Sequence, residues 1–221
     1  MKADVLEQFL CDQIPLRIQS LLPQKLKLAY EAADAHINAT PMLQIPSAAG
    51  SRGRIVSHAV DFFVKGLIDS GEWHADYSWP KFARPTGNYL QIRLSHSTLS
   101  ISQIQNPRDQ PRNVVFRENS RIGNSQLSFG IPGLEGELEE DTVTGNPSFL
   151  LVHGHQNLEF AHIGIPHHHE RGYLYKTKNL MQMMHEVQPS DLPPPEPIRN
   201  VEELMSLKAE IEKWQRDYEG K

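Results

Sequence analysis

The sequence predicts an α+β fold in which N-terminal helices pack on a mostly antiparallel β-sheet, with a Pro-rich linker and a C-terminal helix after it. Three observations support this fold class. Apolar residues recur at spacings of three and four over residues 1–71. From residue 89 they alternate with polar residues, as in a half-buried strand. Residues 189–197 then read Pro-Ser-Asp-Leu-Pro-Pro-Pro-Glu-Pro, which interrupts both patterns.

These changes of pattern predict the domain organisation. We expect a folded body over residues 1–188, helical over 1–71 and β-rich over 87–180. Clustered prolines favour stiff polyproline II geometry, so residues 189–198 are predicted to be a linker. An amphipathic helix is predicted over residues 199–221.

Three helices are expected in the first third of the chain. Pro23 suits the first turn of a helix, so we predict a break before it and a second helix after it. Residues 46–53 have loop composition, and a third helix is predicted from about Arg54. Gly71 is the predicted end of that helix. Its apolar face comprises Val56, Ala59, Val60, Phe63 and Leu67.

Five strands are predicted, the first two of them from alternation of apolar and polar residues with period two. They are Tyr89–Leu94, Thr98–Ser102, Asn113–Arg117, Phe149–Val152 and Leu158–Ile163, with a further short strand at Tyr173–Tyr175. The first two of these five strands are predicted to form one hairpin and the last two another, because only short connections separate them. Residues 123–147 are glycine-rich and acidic from Glu135 to Asp141, which indicates a surface excursion.

Composition restricts the class of protein. The chain has 221 residues, 38% hydrophobic and 22% charged, which is typical of a folded protein. A net charge of −5 gives the whole body no attraction to nucleic acid or anionic membrane. The lone Cys11 allows no internal disulfide, the charged N-terminus is unlike a signal peptide, and no apolar run is long enough to span a membrane. We therefore expect a cytoplasmic protein with no membrane partner.

Histidines are concentrated in the second predicted hairpin. His153 and His155 are two residues apart and share a strand face, and His162 lies on the partner strand. Since imidazole is the commonest ligand for zinc and similar metals, this hairpin is a candidate metal site. His153-Gly-His155 with Glu159 is similar to half of the first cupin motif, which implies metal binding by these residues. The alternative is that all are outward-facing polar side chains, with His167–His169 solvated in a loop.

An arginine row is the candidate anion site. Arg108, Arg112, Arg117 and Arg121 lie within one short segment of an otherwise acidic chain. The planar guanidinium suits phosphate or carboxylate, so the row could bind nucleic acid or another anion. The alternative is pairing with the 135–141 acidic run or with a partner protein. A weaker anion site is predicted where Arg52 and Arg54 meet a helix N-terminus.

The predicted C-terminal helix carries an apolar seam. Its members are Leu204, Leu207, Ile211, Trp214 and Tyr218, which follow one another at spacings of three and four. Such a seam has to be buried against the body, against a second copy, or in the groove of another protein.

Two hypotheses of function follow. The first is a non-enzymatic regulatory or adaptor protein, which binds a partner through the seam and an anion or nucleic acid through the arginine row. It needs no cofactor, and its architecture resembles that of antitoxin-like neutralising proteins. The second is a metal-dependent hydrolase or cupin-like oxygenase that uses zinc or another divalent transition metal on the histidine hairpin. The apolar seam favours the first hypothesis, because an adaptor needs such a surface. An enzyme needs a concave site with convergent polar groups, and the sequence offers no second cluster that must converge with the histidines.

Overall fold

Three helices cover one face of a six-stranded sheet in the computed structural model, which describes residues 3–82, 87–112, 114–127 and 146–183. The helices are α1 (Ala3–Gln13), α2 (Leu16–Ala39) and α3 (Arg52–Asp69). The predicted α+β class with N-terminal helices is therefore confirmed. These residues belong to a compact unit that comprises Met1–Met184. The predicted linker over 189–198 and helix over 199–221 lie outside the described residues.

Helix α2 runs through Pro23, so the predicted break before this proline is wrong. The helix begins after Pro15, and Pro23 lies buried inside it. Proline in a helix interior removes one backbone hydrogen bond and usually costs about 3 kcal/mol. The cost is offset because the buried face continues on both sides of the proline, from Ile18 and Leu22 to Leu26. Each such side chain contributes roughly 1.5 to 3 kcal/mol on burial.

Helix α3 begins two residues before its predicted start. Pro46–Ser51 form a 3₁₀ helix that leads directly into α3 at Arg52, where the sequence predicted a loop to residue 53. The predicted end is confirmed, because Gly71 adopts a φ of +76° just after the helix. The buried face of α3 comprises Val56, Val60, Val64 and Leu67.

The sheet has strands β1 (Asp76–Ser78), β2 (Gln91–Arg93), β3 (Thr98–Ile104), β4 (Ser148–Gly154), β5 (Ala161–Pro166) and β6 (Tyr173–Lys176). Their spatial order follows the chain, and all neighbours are antiparallel except β3 and β4, which are parallel. Both predicted hairpins are confirmed as β2–β3 and β4–β5, and the strand at Tyr173 as β6.

The predicted strand at Asn113–Arg117 is wrong. Val115–Ile122 form a helix, α4, which continues into a 3₁₀ turn at Gly123–Leu127, whereas Asn113 lies outside the described residues. The connection from β3 to the parallel strand β4 has to cross over the sheet, and such crossovers are usually helical. A short apolar run such as Val114-Val115-Phe116 cannot be assigned to strand or helix by periodicity alone. Residues 128–145 of the predicted surface excursion also lie outside the described ranges.

The two faces of the sheet differ in character. Alternate residues of β3 and β4, including Leu99, Phe149 and Leu151, pack with the helices α1–α3 in the main core. The residues between them face the other way, where Leu150 and Val152 belong to a smaller apolar cluster. We call this second surface the outer face. Within the described residues, no helix is long and apolar enough to cross a membrane.

A buried polar pair joins the helices to the sheet. The Tyr30 hydroxyl on α2 lies 2.8 Å from His153 Nδ1 on β4 and donates its proton to the Gly154 carbonyl. Since the hydroxyl has one proton, His153 must donate Nδ1–H to the Tyr30 oxygen. Burial lowers the pKa of His153 to about 4 and raises the pKa of Tyr30. The pair therefore binds α2 to β4 as two neutral, hydrogen-bonded side chains.

Candidate anion-binding site

A cleft lies between α4 and the outer face of the sheet. Its cavity volume is about 30 Å³. Strand residues Ser100, Ser148 and Leu150 form one wall, and Arg117 and Arg121 of α4 form another. We call this space the α4 cleft. The cleft is small, with room for a single ion or solvent molecule, and two arginine side chains reach it among polar and apolar neighbours.

The hydroxyls of the cleft arise from the strand pattern. In β3, Leu99 and Ile101 face the helices, so Ser100 and Ser102 face outward. The parallel register then places Ser100 beside Leu150 and Thr98 beside Ser148. The alternation that predicted the hairpin therefore also supplies a polar wall on the opposite side of the sheet.

Asn124 fastens the end of the crossover to this wall. Its side chain is fully buried, accepts from the Ser148 backbone N–H at 2.6 Å and donates to the Ser148 and Pro166 carbonyls at 3.1 and 2.9 Å. One amide thereby joins β4, β5 and the turn after α4. Asn124 is not recognisable from the sequence, because a single asparagine in a glycine-rich segment has the composition of an ordinary turn.

Arg117 is held in place by neutral oxygen atoms. Its guanidinium donates to Ser102 Oγ at 2.6 Å and to the Arg112 carbonyl at 2.9 Å. Burial lowers the pKa of Arg117, because removal from water disfavours its charge. The cleft therefore holds a positive charge positioned by dipoles.

Arg121 lies one helical turn further along the same face of α4. It pairs with Glu118 at 2.8 Å, and its side chain is only 13% exposed. The Arg121 Nε atom is buried and has no hydrogen-bond acceptor among the residues that the structure describes. Buried polar groups are almost always satisfied, so an orphaned donor in a cleft points to a ligand or an ordered solvent molecule.

The predicted arginine row does not form one continuous surface. Arg108 and Arg112 are exposed, whereas Arg117 and Arg121 turn into the cleft. Arg52 lies on α3, across the sheet, where it pairs with Asp34 and donates to the Gln156 carbonyl at 2.9 Å. Arg54 is exposed on the same helix. The structure thus brings together only two of the six predicted arginines.

The four predicted metal ligands are not brought together. His162 is in register with Val152, so His162 faces outward while His153 faces the helices. His162 bonds the Thr177 carbonyl at 3.0 Å, and His155 and Glu159 are exposed. Over the described ranges, no group of three His, Cys, Asp or Glu residues could hold a metal ion. The expectation that His162 meets His153 across the hairpin is wrong, because it required a register shifted by one residue.

The histidine run His167–His169 adjoins the cleft instead of extending freely into solvent. It follows Pro166, which lines the cleft at the end of β5. The His167 and His168 rings stack with centroids 4.5 Å apart, and His168 meets His169 edge-on at 4.3 Å. The sequence shows three consecutive histidines after a strand, but not that the end of this strand, Pro166, lines a cleft with Arg121.

No protein-family model, curated protein or solved structure matches this chain. The function therefore has to be argued from the site itself. The seam residues Leu204, Leu207, Ile211, Trp214 and Tyr218 and the acidic run at 135–141 lie outside the described residues.

Proposed function

We propose that this protein is a non-enzymatic binding protein of the regulatory or adaptor type, which takes up a small anionic ligand in the α4 cleft and a partner protein through its C-terminal seam. The observation that carries the first half is the buried Arg121 Nε, which has no acceptor within the described part of the chain. An unsatisfied buried donor costs about 1 to 3 kcal/mol. A ligand oxygen that accepts from Nε recovers this energy.

The charge of the cleft supports an anion. The guanidinium groups of Arg117 and Arg121 line it, and Glu118 pairs with Arg121. Because Glu118 already bonds another nitrogen of Arg121, it leaves Nε available. Hydrogen bonds between a guanidinium and an oxyanion are among the strongest in proteins. The site therefore favours an oxyanion even though the chain as a whole is acidic.

The shape of the cleft favours a small ligand over nucleic acid. Proteins that track a nucleic-acid backbone use exposed, positively charged grooves. Here Arg117 and Arg121 belong to α4 and line a small cleft, whereas Arg108 and Arg112 of the same predicted row are exposed. A single phosphate or carboxylate group can enter such a cleft, whereas a continuous backbone cannot follow it.

Replacing Arg121 tests the anion site. We expect Arg121→Gln to weaken binding of inorganic phosphate by about tenfold to a hundredfold, which corresponds to the loss of one charged hydrogen bond. Isothermal titration calorimetry measures this directly. Arg108→Gln is the matched control and leaves the affinity unchanged, because Arg108 is exposed and outside the cleft.

Two results would contradict the anion site. If a single-stranded oligonucleotide binds, phosphate does not, and Arg108→Gln weakens that binding, then the exposed arginines contact nucleic acid. If phosphate binds only after the acids of residues 135–141 are replaced by their amides, then the arginines hold an internal acidic segment.

Partner binding through the seam remains a prediction from the sequence. If the seam pairs with a second copy, Trp214→Ala raises the dimer dissociation constant by roughly thirtyfold, as expected for a buried aromatic hot spot. Analytical ultracentrifugation measures this, with Gln215→Ala, off the seam, as the control. If Trp214→Ala instead unfolds the body in thermal denaturation, the seam is part of the core.

A further inference from the structure

The segment between β3 and α4 crosses the outer face of the sheet. It leaves β3 at Ile104 and bonds to β6, which is three strands away in the sheet order. Neighbouring strands lie about 4.8 Å apart, so the crossing spans roughly 14 Å. We call residues 105–112 the strap. A turn gives it a shape of its own, because Asn106 accepts from the backbone N–H groups of Arg108 and Asp109, each at 3.0 Å.

Three hydrogen bonds hold the strap against β6 and the residue before it. Two strap carbonyls accept from side chains of β6, and one strap side chain donates to the backbone just before that strand. The bonds join Lys176 Nζ to the Pro107 carbonyl oxygen at 2.9 Å, the Tyr173 hydroxyl to the Asp109 carbonyl oxygen at 3.3 Å, and Gln110 Nε2 to the Gly172 carbonyl oxygen. Each of them uses a side chain. The strap can therefore leave β6 while the pairing of the strands stays intact.

The strap is also a wall of the α4 cleft. Gln110 and Pro111 line the cleft together with residues of α4 and β4. The cavity volume of about 30 Å³ is little more than one water molecule needs. A phosphate ion has four oxygen atoms, so the cleft takes up the whole ion only when a wall moves outward.

The other walls are held more firmly than the strap. Asn124 ties the end of the crossover to β4 and β5, and Arg117 of α4 bonds the Ser102 hydroxyl of β3. Arg117 also bonds the Arg112 carbonyl, which holds the last residue of the strap on α4. Both ends of the strap are thereby fixed. The stretch from Pro107 to Gln110 is the part that can move away from β6.

We propose that the strap is a gate of the α4 cleft, which leaves β6 to let phosphate or a similar tetrahedral oxyanion pass and closes again over the bound ion. The inference rests on the proposed anion site and describes how that site exchanges its ligand. As long as the closed form predominates, the apparent affinity is that of the closed form. Weaker bonds to β6 should therefore alter the rates of exchange and leave the affinity unchanged.

Removing both donors of β6 tests the gate. The double variant Tyr173→Phe/Lys176→Met loses two bonds to the strap but keeps the Tyr173 ring, which packs over Gly164. Neither residue is among those that line the cleft. We expect phosphate to exchange about tenfold faster in both directions, as for two lost hydrogen bonds, with a dissociation constant within about twofold of the original. Phosphorus NMR exchange spectroscopy measures the rates, and calorimetry measures the dissociation constant.

Tyr175→Phe/Lys178→Met is the matched control, because it removes the same atoms from neighbouring positions. Tyr175 belongs to β6 but packs with the main core, and Lys178 is exposed. The rates of phosphate exchange in this variant should equal those of the unmodified protein.

Trypsin cleavage after Arg108 reports opening of the strap without a ligand. Arg108 is exposed but lies within the strap, and cleavage of a folded segment follows the fraction of protein in which that segment is open. We expect about tenfold faster cleavage in Tyr173→Phe/Lys176→Met than in the control. Saturating phosphate should slow the cleavage, because the ion binds the closed form.

The outcomes separate this inference from the proposed function. If phosphate binds but the exchange and cleavage rates of Tyr173→Phe/Lys176→Met are unchanged, or the control raises them equally, the strap is a fixed wall and the gate is wrong, although the anion site stands. If only dissociation becomes faster and the affinity falls in proportion, the strap holds the ion instead of admitting it, which also overturns the gate. If no phosphate binds to the unmodified protein, the proposed function itself is wrong.

Discussion

Gly154→Ala is expected to lower the free energy of unfolding by about 3 kcal/mol or more, the largest effect we anticipate for a single methyl group. A Cβ at this position would lie 1.9 Å from the Asn157 carbonyl oxygen and 3.1 Å from its carbon. Both atoms belong to backbone, so no side-chain rotation relieves the clash. The turn between β4 and β5 would have to open, and the Gly154 carbonyl would move away from the Tyr30 hydroxyl.

Gly66→Ala is the control for this substitution. Gly66 lies inside α3, and a Cβ there would meet nothing within 4 Å. Alanine in a helix interior is better than glycine by about 0.8 to 1 kcal/mol, so Gly66→Ala should stabilise the protein. Urea denaturation measures both variants. Equal stability of Gly154→Ala and the unmodified protein would mean that the β4–β5 turn is not as tight as the structure has it.

The strand pattern was predictable because it depends on local chemistry alone. Alternation of apolar and polar residues identifies β2 and β3, and a short apolar run identifies β4, which is buried on both faces. Apolar residues at spacings of three and four likewise identified the buried face of α3. Such patterns failed at Pro23 and at Val115, where the outcome depends on the rest of the fold. Continuous burial holds α2 together through Pro23, and a parallel β3–β4 pair requires the crossover that contains α4.

The candidate site was less predictable than the fold, since it depends on register and topology. A shift of one residue between β4 and β5 decides whether His162 faces His153 or the outer face. Likewise, Arg117 and Arg121 attract attention in the sequence as part of a row. Only the crossover places them over Ser100 and Ser148 and separates them from Arg108. The residue types thus indicated an anion site, and the topology of the sheet determined which of the arginines line the cleft.

Two buried titrating groups of opposite effect should govern stability in mild acid. The pKa of His153 is lowered to about 4 by burial from its ordinary 6.5, so acid favours the unfolded chain between these values. Burial raises the pKa of Asp61 from 3.8 to about 7. Asp61 is half-buried on α3 and has no ion-pair partner among the described residues, since Lys65 pairs with Asp69. Acid therefore relieves a cost at Asp61 while it adds one at His153.

The Asp61→Asn variant should expose the effect of His153. In this background we expect the free energy of unfolding to fall by about 3 kcal/mol as the pH drops from 6.5 to 4, because each unit of pKa shift corresponds to about 1.4 kcal/mol. Stability should be fully present above pH 6.5. His162, whose pKa is also lowered by burial, adds a smaller loss of the same sign. Urea denaturation across this range gives the slope.

His153→Gln in the same background tests whether His153 is the source of that slope. Glutamine keeps a side-chain amide that can donate to the Tyr30 oxygen, but it does not titrate. The double variant should therefore retain only a weak dependence, to which His162 and His168 contribute because the pKa of each is lowered. If the two variants lose stability in parallel, the acid-sensitive group lies elsewhere, and the Tyr30–His153 pair does not hold the histidine neutral. If the double variant is flat while the single variant is steep, a neutral His153 is part of what binds α2 to β4.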